Sequence, residues 1–480
     1  MVSVKKMRVK PLYVITGLFV VTLAYLFVGQ MSYPALWYDE SGQFYIAAGL
    51  NHYSAPNSAW GGIRDIWVNN YSYNLDPGGF SVILRLWQSI ATHEYWIRLL
   101  PFTFFFIYLY FLYKIVVRLT NNKFVAVAVL LLNVVQLPDT EKLYERIADI
   151  RSYPMEMCGA AVFFWMFVNL DISKIKNIVA LSLCLCFFCT SRYGFIISSF
   201  SFSLLVIYYL LKAEPNVKSW MGKSIVYGMP LLITVIAIYL LTMRHQNASA
   251  EPIFYAPYLS RRHSLLIKSF LSWEFYFDIL VFVLLRRRMS EEMRKFFLCT
   301  ILIGGVYMIF SLCGFYPWSS YKAISMNVFV YNAMWIVVLS FLCRYKIAPI
   351  LFCLFWVVYM LCNHKNLRRN TGDWEIIEEI GKVRKQYPDK KVFVDWSINA
   401  NLRYACEYGS MKDSLKHVYG KNLVLQTGIP HYSTIFSHQN SDPYRYEYFM
   451  KGCDFFVFPS EGRKGFKKIE GYNSVYVREK

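Results

Sequence analysis

The segment Phe80-Ser-Val-Ile-Leu-Arg-Leu-Trp-Gln-Ser-Ile-Ala91 decides how the rest of the chain is threaded. It is apolar, yet it runs for only about 12 residues and Arg85 interrupts it, whereas a helix needs about 20 residues to cross a bilayer. Such a segment fits a helix lying in the membrane interface with its Arg snorkelling outward. On either side, near-apolar runs of roughly 17 to 22 residues, long enough to cross, recur along the first three quarters of the chain. The 480 residues are 56% hydrophobic and 19% aromatic, with a mean hydropathy of +0.32. A soluble surface needs more polar residues than that, so the chain reads as an α-helical polytopic membrane protein. The net charge of +20 does not call for nucleic acid. Much of the Lys and Arg lies in short loops, where the positive-inside rule and anionic headgroups account for it.

Whether Phe80–Ala91 crosses sets the side of every later loop. With it lying flat, spans are expected at about 11–29, 97–117, 124–137, 153–170, 177–190, 195–211 and 224–243. Four more follow, one ending at Leu285 and others at about 296–314, 325–342 and 347–363. The N-terminal Lys5, Lys6, Arg8 and Lys10, then Arg118, Lys123, Lys174, Lys176, Arg286, Arg287, Arg288, Arg344 and Lys346, all fall inside. A crossing segment would move every basic loop after it outside. The expectation is therefore about 11 transmembrane helices, with the C-terminus outside. Residues 1–364 form the membrane module, with a long first outer loop at 30–96 and a second at 138–152. Residues 365–480 form a small soluble α/β domain outside the membrane. Its predicted elements are a helix over Asp373–Gln386, strands near 391–395, 422–425 and 454–458, and a helix over Tyr444–Met450. Most of the eleven Cys sit in apolar spans and read as small hydrophobes; Cys406 and Cys453 lie in the polar tail and are placed to pair if that tail is extracytoplasmic.

Two clusters stand out for chemistry. Asp39 and Glu40 follow the first span in Leu36-Trp-Tyr-Asp-Glu-Ser, and the aromatic residues Trp37, Tyr38, Phe44 and Tyr45 anchor that stretch at headgroup depth. There a carboxylate can act as a base or orient a nucleophile; it can also merely solvate a loop. In the second outer loop, Asp149, Arg151 and Tyr153 precede the fourth span. They form either a salt-bridged helix start or a second acid with a guanidinium suited to bidentate phosphate binding.

The order of these features resembles the C-type (GT-C) glycosyltransferases. The residues concerned are Tyr38-Asp39-Glu40 after the first span, the Asp76-Pro77 turn and the interfacial segment. Tyr95-Trp-Ile-Arg-Leu-Leu-Pro101 then opens the second span, and Asp149-x-Arg151-x-Tyr153 completes the pattern. The likeness is to protein O-mannosyltransferases, lipid A aminoarabinose transferases and related bacterial lipid-linked-sugar enzymes, and it covers roughly residues 1 to 210. It implies a multi-pass enzyme of a bacterial inner membrane, with its active site facing outward. A sugar would pass by inverting displacement from a polyprenyl-phosphate donor to a glycan, lipid or protein acceptor. By the same resemblance Asp39, Glu40 and Asp149 are the catalytic acids, and Arg151 and Tyr153 stand beside the donor. Asp76 occupies a position where a basic residue before Pro is commoner. Arg192, in the Ser191-Arg192-Tyr193-Gly194 break, takes a cationic role, with Arg261 and Lys322 as further candidates to hold the departing phosphate. No cofactor is required, although a divalent ion bridging Asp39 and Asp149, as in oligosaccharyltransferases, stays open.

A transporter or flippase of lipid-linked saccharides is the rival from another class. Transporters tend to place charges or breaks within their spans near the midplane, whereas here the polar residues gather in outer loops. A polysaccharide polymerase or ligase would be expected to centre on a large later loop. The threading has a direct check. A Ser89→Cys variant is expected to react with an impermeant thiol reagent from the extracytoplasmic side, and labelling only from the cytoplasm would overturn it.

Overall fold

The protein, in a computed structural model, is described over residues 10–50, 57–73, 76–135, 147, 149–214, 216–245, 273–313, 323–363, 372–418, 420, 422–425, 450–458 and 465–479. The chain begins with α1 (Pro11–Met31), α2 (Tyr38–Ala47), α3 (Ile63–Tyr73) and α4 (Gly79–Gln88). Then come α5 (Glu94–Thr120), α6 (Lys123–Val135), α7 (Tyr153–Asn169), α8 (Ile175–Cys189) and α9 (Tyr193–Ala213). Helix α10 (Val217–Ile238) ends in a π turn at Tyr239–Met243, and α11 (Trp273–Leu285), α12 (Glu291–Leu312), α13 (Ile324–Leu342) and α14 (Ala348–Asn363) complete the bundle. Six of these, α1, α5, α9, α10, α12 and α13, are long and apolar enough to cross a membrane. The molecule is an integral membrane protein. Helices α6, α7, α8, α11 and α14 occupy the other expected segments but are shorter over the described residues.

Helix α4 has 10 residues, about 15 Å at 1.5 Å per residue, half of a hydrocarbon core of about 30 Å. It does not cross. Gly78, at φ +87°, caps its start in the left-handed region that favours glycine. Gly79 follows because Thr190 leaves no room for a side chain: a Cβ there would lie 2.2 Å from the Thr190 hydroxyl, and the Gly79 N–H donates to the Thr190 carbonyl. The other end is clasped by two indoles stacked at 4.6 Å. Trp87 and Trp96 each donate Nε1–H to the other's backbone carbonyl, at 2.7 and 2.8 Å. One expectation fails here. Arg85 does not snorkel outward but lies 4.5 Å over the Trp60 ring and donates to the Gly61 carbonyl. A cation on an aromatic face with a carbonyl partner is a better-satisfied site than an apolar helix flank.

The bundle has two polar ends. At one, Arg118 at the end of α5 reaches Asn169, the last residue of α7, and Glu292 in α12. At the other lie α2, α4, the starts of α5, α7 and α13, and the α8–α9 corner, joined by the contacts of the site below. This second end also receives the C-terminal unit: α15 (Gly372–Gln386), β1 (Val392–Val394), α16 (Trp396–Glu407), α17 (Lys412–Leu415), β2 (Leu423–Leu425), β3 (Phe455–Val457), β4 (Phe466–Lys468) and β5 (Val475–Arg478). The sheet order is β2-β1-β3-β5-β4, with β1 parallel to β2 and β3, and β5 antiparallel to β3 and β4. Period-two alternation splits its side chains: Val392, Val394 and Val457 pack with α15 and α16 on one face, and Phe393, Phe456 and Phe458 on the other. Cys406 belongs to the first face and Cys453 to the second, so the two are not bridged. The helix expected over Tyr444–Met450 lies outside the described residues except for Met450.

A wholly buried ion pair ties the first loop to the bundle. Arg98, in the first turns of α5, and Glu40, in the first turn of α2, both have side chains at 0% exposure and approach to 3.3 Å. Arg98 also donates to the carbonyls of Tyr33 and Ala35, the linker between α1 and α2. Removing one partner of such a pair strands the other charge in a low-dielectric interior. Arg98→Ala is expected to cost about 3–5 kcal/mol, read as a large fall in thermal midpoint in detergent. An unchanged midpoint would show that the pair does not hold the loop.

Candidate active site

The N-terminus of α2 carries two acids with different fates. Glu40 faces inward. Its oxygens accept from Arg98, from the Trp37 N–H at 3.1 Å and from the Ile150 N–H at 3.3 Å. The Trp37 bond caps α2 from within, as a Glu in the first turn often does. The Ile150 bond pulls the second loop against the first. Glu40 is thus the node that holds residues 37–40 beside residues 149–151. Asp39, the preceding residue, turns the other way and pairs with Arg151, the side chains being 29% and 24% exposed. Of the two acids, only Asp39 is open to an incoming molecule.

Asp149 accepts a hydrogen bond from Trp37 Nε1 at 3.1 Å, so both loops expected to contribute acids meet across one indole. Beyond Arg151 the arrangement continues as a ladder. The Arg151 guanidinium lies 5.5 Å from the Tyr153 ring centre, and that of Arg192 lies 4.3 Å from it. Arg192 is paired with Glu156 of α7 at 2.9 Å. Glu156 is fully buried and also accepts from the backbone N–H and hydroxyl of Ser325 at the start of α13. Arg192 precedes α9 in extended backbone at φ −153°, which is how a break between two helices delivers a guanidinium sideways to this end of the bundle.

Asp76 completes the group. It is 5% exposed and accepts from the Gly78 N–H at 2.9 Å, while Asn70 holds its carbonyl. Burial raises its pKa above the usual 3.8, and the Gly78 bond and the nearby Arg151 and Arg192 offset this in part. The docking of Gly79 onto Thr190 brings Asp76 within electrostatic reach of Arg192, two positions along the α8–α9 corner.

Seven of the nine residues singled out in the sequence therefore fall at one end of the bundle: Asp39, Glu40, Asp76, Asp149, Arg151, Tyr153 and Arg192. Arg261 and Lys322 lie outside the described residues. Sequence reasoning missed Arg98, Trp37 as the bridge to Asp149, Glu156 and Ser325. Glu156 had a readable signal, an acid in the first turn of an otherwise apolar span, which demands a buried partner. A divalent ion does not fit this arrangement. Asp39 is held by a guanidinium and Asp149 by an indole N–H, and no cluster of three or more His, Cys, Asp or Glu converges among the described residues.

No protein-family model and no curated protein matches the chain. Among solved structures, it is similar to the oligosaccharyltransferase of Archaeoglobus fulgidus. The match to its complex with Zn and sulfate has 11% identity and a TM-score of 0.46, over 92% of this chain and 67% of that one. The match to the form tethered to an acceptor peptide containing the NVT sequon has 11% identity and a TM-score of 0.45, over 93% and 69%. The likeness is loose, and the site stands on its own residues.

The raised pKa of Asp76 has a checkable sign. Its acid form is favoured in the fold, so its contribution to stability is present at low pH and is lost as pH rises from 3.8 through the raised value. Asp76→Asn keeps an acceptor for Gly78 without a charge to bury. The variant is expected to show less loss of thermal stability with rising pH over that window, measured by melting in detergent. Parallel pH curves for the two proteins would refute it.

Proposed function

We propose that the protein is a membrane glycosyltransferase that passes a sugar from a polyprenyl-phosphate donor to an extracytoplasmic acceptor. The observation that carries this reading is the partly exposed pair of Asp39 and Arg151, with Tyr153 and Arg192 continuing from it. One carboxylate suited to a hydroxyl lies against two guanidinium groups suited to a phosphate, at the end of a bundle whose helices reach into lipid. A lipid-linked sugar phosphate has that same layout.

In this reading the donor's phosphate takes Arg151 from Asp39, leaving the carboxylate facing the acceptor hydroxyl. The acceptor oxygen attacks the anomeric carbon as the bond to the phosphate oxygen breaks. Asp39 accepts the hydroxyl proton, and the bond's electron pair leaves with the lipid phosphate, inverting the carbon. Negative charge grows on that phosphate during the step, and Arg151 and Arg192 stabilise it where it grows. Asp76, whose carboxyl burial pushes above its usual value, stands within electrostatic reach of both Arg151 and Arg192. Glu40 and Asp149 hold the two loops in register rather than meet the substrate. No step uses a metal ion. The polyprenyl-phosphate donor, an acceptor that is a glycan, lipid or protein, and the outward-facing bacterial inner membrane follow from the resemblance and belong to the same proposal.

One observation favours the transporter reading. Asp278 on α11 is fully buried, and neither of its carboxylate oxygens has a hydrogen-bond partner among the described residues. Transporters use such intramembrane acids. The two readings part cleanly in membranes supplied with a radiolabelled polyprenyl-phosphate hexose. Asp39→Asn is expected to lower sugar transfer by about 10²–10⁴-fold, and Asp278→Asn to leave it unchanged. Full transfer in Asp39→Asn refutes the mechanism. Absence of sugar transfer in the wild type together with loss of lipid-linked sugar movement in Asp278→Asn establishes the rival.

A further inference from the structure

Helix α2 is gripped from behind. Its first turn presents Asp39 to the site, and its other side lies against α16 of the C-terminal unit. The Ser41 hydroxyl donates to Asn401 Oδ1 at 3.0 Å in a buried contact, and Asn401 Nδ2 donates onward to Asp373 at 3.1 Å. One turn later Phe44 meets the Tyr404 ring edge-on at 5.0 Å, and the Tyr404 hydroxyl donates to the Thr92 carbonyl just ahead of α5. The Arg403 guanidinium, paired with Glu407, lies 4.4 Å over the Tyr45 ring. The linker before α2 is taken in as well, since Tyr33 and Ala35 belong to the hydrophobic core of the C-terminal unit and the Trp374 N–H donates to the Tyr33 hydroxyl.

These contacts have a mechanical meaning. Helix α2 has only 10 residues, too few to be stable alone in water, so its position is set by what it packs against. The bundle holds its N-terminal end through Glu40. The rest of α2 packs against α3 and α4 of the first loop, where Gln43 donates to the Ser81 hydroxyl, and against α16, whose Asn401 lies 360 residues after Ser41 in the chain. A catalytic carboxylate misplaced by about 1 Å can cost about a hundredfold in rate.

We propose that the C-terminal unit is a positioning part of the active site, with Asn401 and Tyr404 holding α2, and through it Asp39, in its working place. Neither residue touches substrate; both act through α2. The functional half of this inference rests on Asp39 being the site's base, and its structural half does not.

The experiment compares full-length protein in lipid nanodiscs as wild type, Asn401→Leu and Glu379→Gln. Glu379 accepts from the Asn473 and Ser474 N–H groups, so its loss loosens the C-terminal unit at a point not in contact with α2. Hydrogen exchange over residues 38–47 is expected to speed up in Asn401→Leu and to stay at the wild-type rate in Glu379→Gln. With a polyprenyl-phosphate hexose as probe, turnover in Asn401→Leu is expected to fall about ten- to a hundredfold, with KM for the donor unchanged. Unchanged exchange over 38–47 in Asn401→Leu overturns the inference, as does equal acceleration in both variants. Faster exchange with turnover intact, where Asp39→Asn has none, overturns the positioning role. If the wild type turns over no donor while exchange responds as expected, the glycosyltransferase reading fails and the grip on α2 stands.

Discussion

The buried pair of Glu40 and Arg98 is the constraint on which the site depends. Two opposite charges at 0% exposure are an expensive way to join two helices, and a well-packed apolar pair could have been as stable. What the charges add is direction. Arg98 fixes the linker carbonyls of Tyr33 and Ala35, and Glu40 fixes the Trp37 and Ile150 N–H groups. Four backbone points from two loops are thereby tied to one node. Asp39 and Asp149 face their partners because the residue that follows each, Glu40 and Ile150, is fixed, and an apolar contact, being non-directional, would leave the loops free to slide.

The same economy runs through the outer part of the site. Among the described residues, the two guanidinium groups beside Tyr153 have carboxylate partners of different character: Arg151 has the partly exposed Asp39, and Arg192 the buried Glu156. An incoming anion can exchange for the first at little desolvation cost, since both groups are already partly hydrated. Displacing the second would strand a buried carboxylate. The two cations thus differ in kind, Arg151 being exchangeable and Arg192 a fixed field beside the Tyr153 ring.

Much of this was legible in the sequence. Length alone showed that Phe80–Ala91 could not cross, and from that parity Asp39 and Asp149 had to share an end of the bundle. Hydropathy located the helices because lipid imposes a sharp length requirement. The division of labour between Asp39 and Glu40 was not legible: adjacent residues at a helix start point in directions about 100° apart, and only the placement of Arg98 says which one is buried. Arg85 misled for a related reason, since the snorkelling rule assumes the nearest polar environment is solvent, and here it is the Trp60 ring and a carbonyl from another part of the loop. Helix α16 was invisible because its role is tertiary. Asn401 and Tyr404 look like ordinary surface residues until α2 is set against them.

The indole clasp between Trp87 and Trp96 gives the molecule one further property. Two stacked rings with reciprocal N–H to carbonyl bonds make the turn between α4 and α5 a rigid elbow. A bilayer that thickens or thins pushes on interfacial helices and tilts long ones. With the elbow locked, α4 and α5 meet such a push as one piece. The end of the bundle that carries Asp39 and Arg151 is thereby braced where α4 meets α5.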